Sequence, residues 1–414
     1  MKTPLAALSL SLLLLFAACS PSSAPPSESP SPSPSLPSEP PHLPSSPSQY
    51  PPDVTQPFND ITAAEWVAAV RVGWNLGNTF DAWSQSVTPA TTVRSMETMW
   101  GNPQTTRPLF VALYAEGFNA VRIPVTWFKA CDEDYNIRED FLGRVKEVVG
   151  WALDAGMYVI LNTHHDDKNI FNIYDTDDME ETKRVFGKLW EQIAANFSHF
   201  GERLIFEPMN EPNTANTPNM WNGGTPAERE NINALNQLFV DTVRASGGHN
   251  DKRVLMVSCQ SAHAHTFGIF SELRIPEDTA PNKIIVTIHE YVPYAFALST
   301  ASTAPSAWSA DKAADTSPIH TPIDLAHNLF VSNGIPVVMG EMGAMNRDNT
   351  DARAAWAEYY IGYARGKGIP CFWWDNGQLG ITSGDTETFG LIDRSNFNIV
   401  YPELVEAIMR GAGE

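Results

Sequence analysis

Eight short apolar runs punctuate the chain, at residues 72–76, 120–124, 157–161, 204–206, 254–257, 284–288, 336–339 and 370–374. They are rich in Val, Ile and aromatic residues and are continuous rather than alternating, as expected of parallel strands covered on both faces. The stretches between them carry the helical period instead. Phe141, Leu142, Val145, Val148, Val149 and Ala152 fall on one stripe, with Gly156 placed to stop the helix. Ile232, Leu235, Leu238, Phe239 and Val243 form a second stripe, closed by Gly247 and Gly248. Ahead of the first run, Thr62 and Glu65 have the spacing of a capping box, so a short helix is expected to lead in. Eight strands alternating with helices predict an α/β fold, a (β/α)8 TIM barrel, with its active site at the C-terminal ends of the strands.

Polar residues concentrate where that site would form. Asn75 and Asn78 follow the first run, Arg122 lies in the second, and Asn162, His164 and His165 follow the third. Asn210 and Glu211 end the fourth, His263 and His265 follow the fifth, His289 and Tyr291 end the sixth, Glu341 ends the seventh, and Trp374 and Asp375 end the eighth. Packing alone would favour apolar residues there. Glu211 and Glu341 each stand beside strand-breaking residues, where a carboxylate is expected to face a cavity. That position is costly for an ionisable group without work to do, and two such groups invite the paired-carboxylate chemistry of glycoside hydrolysis.

The N-terminus changes the picture of where the protein acts. Lys2 precedes an apolar run from Leu5 to Ala18, too short for a membrane span, so residues 1–18 read as a secretion signal. Phe16-Ala17-Ala18-Cys19 resembles the lipobox of bacterial lipoproteins, with Cys19 as the acylated residue. Residues 19–57 form a Pro/Ser-rich linker, with 14 of the chain's 32 prolines between Ser20 and Pro57, expected to be an extended, solvated tether. The catalytic barrel is then 58–414. The expected location is the bacterial cell surface or outer membrane, with the membrane met only through the lipid anchor. A net charge of −21 repels phosphate backbones, so nucleic acid is not an expected partner. Cys259 and Cys371 sit in apolar runs, which favours buried free thiols over a disulfide framework, and no Cys-x-x-Cys spacing suggests a metal site.

Six runs together resemble glycoside hydrolase family 5, most closely its subfamily 4: 73–79 (GWNLGNT), 121–127 (VRIPVTW), 162–166 (NTHHD), 209–212 (MNEP), 340–343 (GEMG) and 373–377 (WWDNG). The resemblance covers nearly all of 60–405 and implies a retaining endo-β-1,4-glucanase acting on β-1,4-linked polysaccharide. The enzyme is expected to be a monomer and to use no cofactor. It implies Glu211 as acid/base and Glu341 as nucleophile. Arg122 beside Glu341 is expected to lower its pKa, and burial near a second carboxylate to keep Glu211 protonated. Asn210 matches the residue that bonds the sugar 2-hydroxyl; His164, His289 and Tyr291 match sugar-contacting and nucleophile-orienting positions. Trp374, rather than Trp373, matches the aromatic floor under the cleaved sugar. Asn75 and Trp83 complete the substrate-binding candidates, with Trp127, Trp221 and Trp308 also expected in loops lining a glycan groove.

Two other functions compete. A metal-dependent hydrolase could use His165, Asp166 and Asp167, or His263 and His265, but the first strand ends in Asn75 and Asn78 rather than a His-x-His pair. A non-catalytic glycan-binding lipoprotein would be expected to have lost one of the two carboxylates.

Overall fold

A capping box starts the first helix: the Thr62 side chain accepts from the Glu65 amide, and the Glu65 carboxylate accepts from the Thr62 amide. The computed structural model describes residues 55–166, 178–213, 217–264 and 267–414. The expected signal, Cys19, residues 19–54 of the linker, Asp167 and His265 lie outside the described residues.

Each apolar run becomes a strand: β1 Gly73–Leu76, β2 Ala120–Ile123, β3 Tyr158–Asn162, β4 Leu204–Glu207, β5 Leu255–Ser258, β6 Ile284–His289, β7 Val337–Met342 and β8 Cys371–Asp375. They close into a barrel in sequence order, every neighbouring pair parallel. The two predicted apolar stripes lie on the helices Glu139–Asp154 and Pro226–Ala245, which bury them. Leu238 is only partly buried. Among the described residues no helix is long and apolar enough to cross a membrane.

Side chains alternate across each strand, and the two faces have different tasks. The outer face meets the helices through Trp74, Val121, Val159, Phe206, Val257, Val286, Met339 and Trp373. The inner face begins with an apolar layer of Ala120, Ile160, Ile205, Met256, Ile285, Val338 and Phe372, onto which the leading helix Ala63–Ala69 seals Trp66. Gly73 belongs to that layer because a Cβ there would stand 2.1 Å from the Phe372 ring. One step further along, the inner positions turn polar. Asn75 pairs in register with Arg122 and Trp374, Asn162 with Glu207, and His289 with Glu341. Irregularities in register at Ile288/His289 and Met339/Met342 fall within this polar layer.

Cys131, Cys259 and Cys371 are free thiols, the last two buried.

Candidate active site

Arg122 is the centre of the polar layer. Alternation in β2 sends it inward, where it is fully buried, and each of its three nitrogens is committed. Nε donates to Glu207 (2.6 Å), Nη1 to Glu341 (2.6 Å) and to Asn75 Oδ1 (3.1 Å), and Nη2 to Asn210 Oδ1 (2.7 Å). Asn75 in turn donates to the carbonyls of Gly340 and Trp373. Arg122 and Asn75 therefore lie beneath the cleft and hold its residues in place; the expectation that they touch substrate is corrected by their complete burial.

His289, also fully buried, stands against three carboxylates. Its Nδ1 is 3.0 Å from Glu211 and 3.7 Å from Glu341, and its Nε2 is 3.8 Å from Glu207. Burial works against its cationic form, yet Glu341, Glu207 and Glu211 together raise it to about 9. Raised in this way it favours the imidazolium at neutral pH, and it meets Glu211 from a fully buried position. Gly340 makes this approach possible, since a Cβ there would lie 2.8 Å from His289 Nε2.

Glu207 was not anticipated. Burial pushes its carboxyl up, but Arg122 and His289 outweigh burial and hold it below the usual range. Glu341 shows the opposite balance. Burial pushes it up, and the pull of His289 and Arg122 does not cancel that rise, to which the charge of Glu211 adds. The expectation that Arg122 would leave Glu341 lowered fails on desolvation. Tyr291 donates its hydroxyl to Glu341 Oε2 (2.8 Å), and burial and the nearby carboxylates push the phenol well up, so it remains a donor.

A cleft of about 710 Å³ opens above these groups, lined by Asn210, Glu211, Glu341, Tyr291, His164 and Trp374. Trp374 faces the cleft, whereas Trp373 points outward into the core against Trp356. His164 stacks parallel to Trp374 with ring centroids 5.8 Å apart, its Nδ1 accepting from the Asn162 amide (3.1 Å). Asn210 gives its carbonyl to Arg122, which leaves its amide N–H groups for the cleft. Trp221 and His263 line one wall, their rings 5.5 Å apart. Trp100 lines another, 5.9 Å from His165.

Three expected groove tryptophans are elsewhere. Trp83 packs on Phe128 and contributes its carbonyl to the Trp100 indole (3.1 Å), so Trp100 takes the place expected of it. Trp127 is fully buried and donates to the Asn162 carbonyl (2.9 Å). Trp308 is buried against Tyr359 and donates to Asp315 O (3.1 Å). Asp375 binds the Trp74 indole, the Leu391 amide and Arg394, fastening the segment after β8.

Metal-type donors do gather here. Asp81, His164 and His165 form one group within 4.8 Å, and Glu211, His289 and Glu341 form another. The second is accounted for by its ion pairs. Asp166, a candidate with His165, instead accepts the amides of Trp127 (2.8 Å) and Phe128 (2.7 Å), a turn-fastening role.

The family model for cellulase, glycosyl hydrolase family 5, matches residues 82–380. Cellulase/esterase CelE of Acetivibrio thermocellus is 41% identical over 362 residues, which is 87% of this chain but 42% of that protein's length. Endoglucanase B of Neocallimastix patriciarum is 40% identical, covering 87% of this chain and 74% of that one. A broad-specificity endoglucanase of subfamily 4 from Ruminococcus champanellensis, solved with bound cellotriose, is similar at TM-score 0.80 and 38% identity, over 86% of this chain and all of that one. With a closed eight-stranded barrel and two carboxylates at its mouth, the chain belongs to glycoside hydrolase family 5.

Proposed function

We propose that this protein is a retaining endo-β-1,4-glucanase in which Glu341 is the nucleophile and Glu211 the acid/base. The observation that carries this is spacing. One carboxylate oxygen of Glu211 and one of Glu341 lie within 4.8 Å of each other and of a His289 nitrogen, a proximity that favours the roughly 5–5.5 Å carboxyl separation of retaining enzymes over the roughly 6.5–9.5 Å that inversion needs. Glu341 attacks the anomeric carbon as the glycosidic oxygen takes the proton of Glu211 and leaves. Water then gives its proton to Glu211 and displaces Glu341 from the same carbon, which restores both groups. Arg122 and Tyr291 hold the Glu341 carboxyl through separate oxygens. The Asn210 amide is placed for the 2-hydroxyl, a contact that strengthens in the transition state. Trp374 offers a flat ring to the C–H face of a glucose unit.

The open cleft suits attack within a chain. Candidate substrates are cellulose, mixed-linkage glucan, xyloglucan and xylan, and the broad specificity of the Ruminococcus champanellensis relative supports that range. Tyr291, Val292, Tyr294, Leu298 and Thr300, which follow β6 along one side of the cleft, are candidates to discriminate among them. The apolar N-terminus, Cys19 and the Pro/Ser-rich tether support export of a monomeric enzyme held at the cell surface by a lipid.

Azide rescue tests the assignment. Glu341→Ala should lose on the order of 10⁴-fold in kcat and, with azide, yield a glycosyl azide of inverted configuration. Glu211→Ala should keep its first step on substrates with an activated phenolate leaving group and, with azide, give retained configuration. The reverse stereochemistry would exchange the two roles, and inverted products from wild type would remove the retaining mechanism.

A further inference from the structure

Besides Glu211 and Glu341 the cleft is lined by two carboxylates: Asp81, whose oxygens accept the amides of Asn78 and Thr79, and Glu387, which the hydrolytic mechanism leaves without a task. Glu387 lies on the segment after β8 and lines the same cavity as Glu211, Glu341, Tyr291 and Trp374. Its backbone is firmly placed. The Glu387 carbonyl accepts from the Asn376 amide (3.1 Å), and the buried residues that follow, Thr388 and Phe389, are tied to Asn346 and to the Trp373 indole. The Glu387 side chain, by contrast, is exposed to the cleft, and no described residue supplies it with a hydrogen-bond donor or a cation.

An unpaired anion beside two other carboxylates is unfavourable in the free protein, because each disfavours ionisation of the others. Although Glu387 is exposed to the cleft, the surrounding walls partly desolvate its carboxyl and push it up, and the charges of Glu341 and Glu211 push it further. A carboxylate that has no partner among the described residues and faces the cleft is matched by donors that arrive with the ligand. A glucan brings hydroxyls, and two neighbouring hydroxyls of a pyranose match the two oxygens of a carboxylate.

We propose that Glu387 is a substrate-binding residue that accepts hydrogen bonds from hydroxyls of the glycosyl unit lying on Trp374. This rests on the glucanase function proposed above. It assigns to the loop after β8 a polar contact that complements the ring platform below. The charge has a second consequence. Glu387 faces Glu341 from β7, Tyr291 from the end of β6 and Glu211 from beyond β4, with Arg122 and His289 beneath them. Its negative charge therefore favours the protonated form of both catalytic carboxyls.

The test is the pH dependence of kcat/KM on cellotetraose for wild type, Glu387→Gln and Glu387→Ala, with melting temperatures alongside. Loss of a hydrogen bond to a charged group should lower kcat/KM about ten- to hundredfold in Glu387→Ala, chiefly through KM. Glu387→Gln keeps an acceptor oxygen and should lose less. Both variants remove a negative neighbour, so both limbs of the pH profile should move to lower pH while the melting temperature stays close to wild type. A kcat/KM within twofold of wild type in both variants, or a loss that follows the melting temperature with no movement of the limbs, would overturn the proposal. Wild-type protein that cleaves no β-glucan would instead overturn the glucanase function, and this proposal with it.

Discussion

Replacing Glu207 probes how the site is held together. Arg122, His289, Glu207 and Glu341 form a buried group with two cations and, once Glu341 ionises, two anions. Glu207→Gln keeps the shape but removes one charge, 2.6 Å from Arg122 Nε and 3.8 Å from His289 Nε2. Removing one partner of a buried pair costs about 3–5 kcal/mol, because the other charge is left uncompensated. The dependence on pH is more discriminating. His289 is raised from 6.5 to about 9, which corresponds to about 3 kcal/mol of stability. For a raised pKa that contribution is complete below pH 6.5 and is lost as pH climbs through about 9. Lys129 slopes the other way. Burial depresses its amine from 10.5 to about 7, so over that interval the unfolded chain binds the extra proton and stability rises with pH. A wild-type curve alone would mix the two. The charged neighbours of Lys129 are Asp81, Asp166 and Glu97, so its contribution should cancel in the difference between wild type and Glu207→Gln. Urea unfolding followed by tryptophan fluorescence from about pH 6 to 9 supplies that difference. The variant should be about 3–5 kcal/mol less stable at the acid end, with the gap narrowing toward the alkaline end. A gap below about 1 kcal/mol, or one constant across the range, would refute the charge-balanced cluster.

Other outcomes follow from the same geometry. Tyr291→Phe deletes the 2.8 Å hydrogen bond to Glu341, and kcat should fall roughly ten- to hundredfold with little change in melting temperature; an unchanged kcat would show that the phenol does not serve the nucleophile. Trp374→Ala should reduce kcat/KM on cellotetraose at least about tenfold, while Trp308→Ala, buried against Tyr359 away from the cleft, should lower the melting temperature and leave kcat/KM near wild type; equal kinetic losses would contradict the placement of these rings. Cys19→Ala should release the protein from the membrane fraction without changing its specific activity, and wild-type protein already soluble after export would refute the lipid anchor.

How legible the site was depended on which physical rule governed each residue. The strands were visible because each is covered on both faces, and seven of the eight runs match the observed strands to within one residue at each end, while β7 continues three residues past its run, to Met342. Complete coverage also removes the alternation that would reveal which side chains point inward, and this is where the sequence reading lost resolution. Glu207 shows the loss most clearly. Counting by two from the interior Ile205 puts Glu207 inside the barrel, but Asn210 and Glu211 three and four residues later drew attention away, although they lie beyond the end of β4. The tryptophans failed for another reason. Their loops are irregular, so no period distinguishes Trp100, which lines the cleft, from Trp83, which supports it through a backbone carbonyl. Arg122 and Asn75 were located correctly along the chain but assigned to the wrong depth, since strand position does not show whether a polar side chain ends in the cleft or one layer beneath it. Depth also decides the electrostatics. Arg122 beside Glu341 implies a lowered carboxyl if only the pair is considered; three-dimensional burial adds a desolvation penalty that reverses the sign, and Glu207, which shares the same arginine, keeps the opposite one. Two glutamates on one guanidinium thus come to differ because Glu341 also faces Glu211 at the cleft while Glu207 does not line it, a distinction carried by the closed barrel and by no local run of residues.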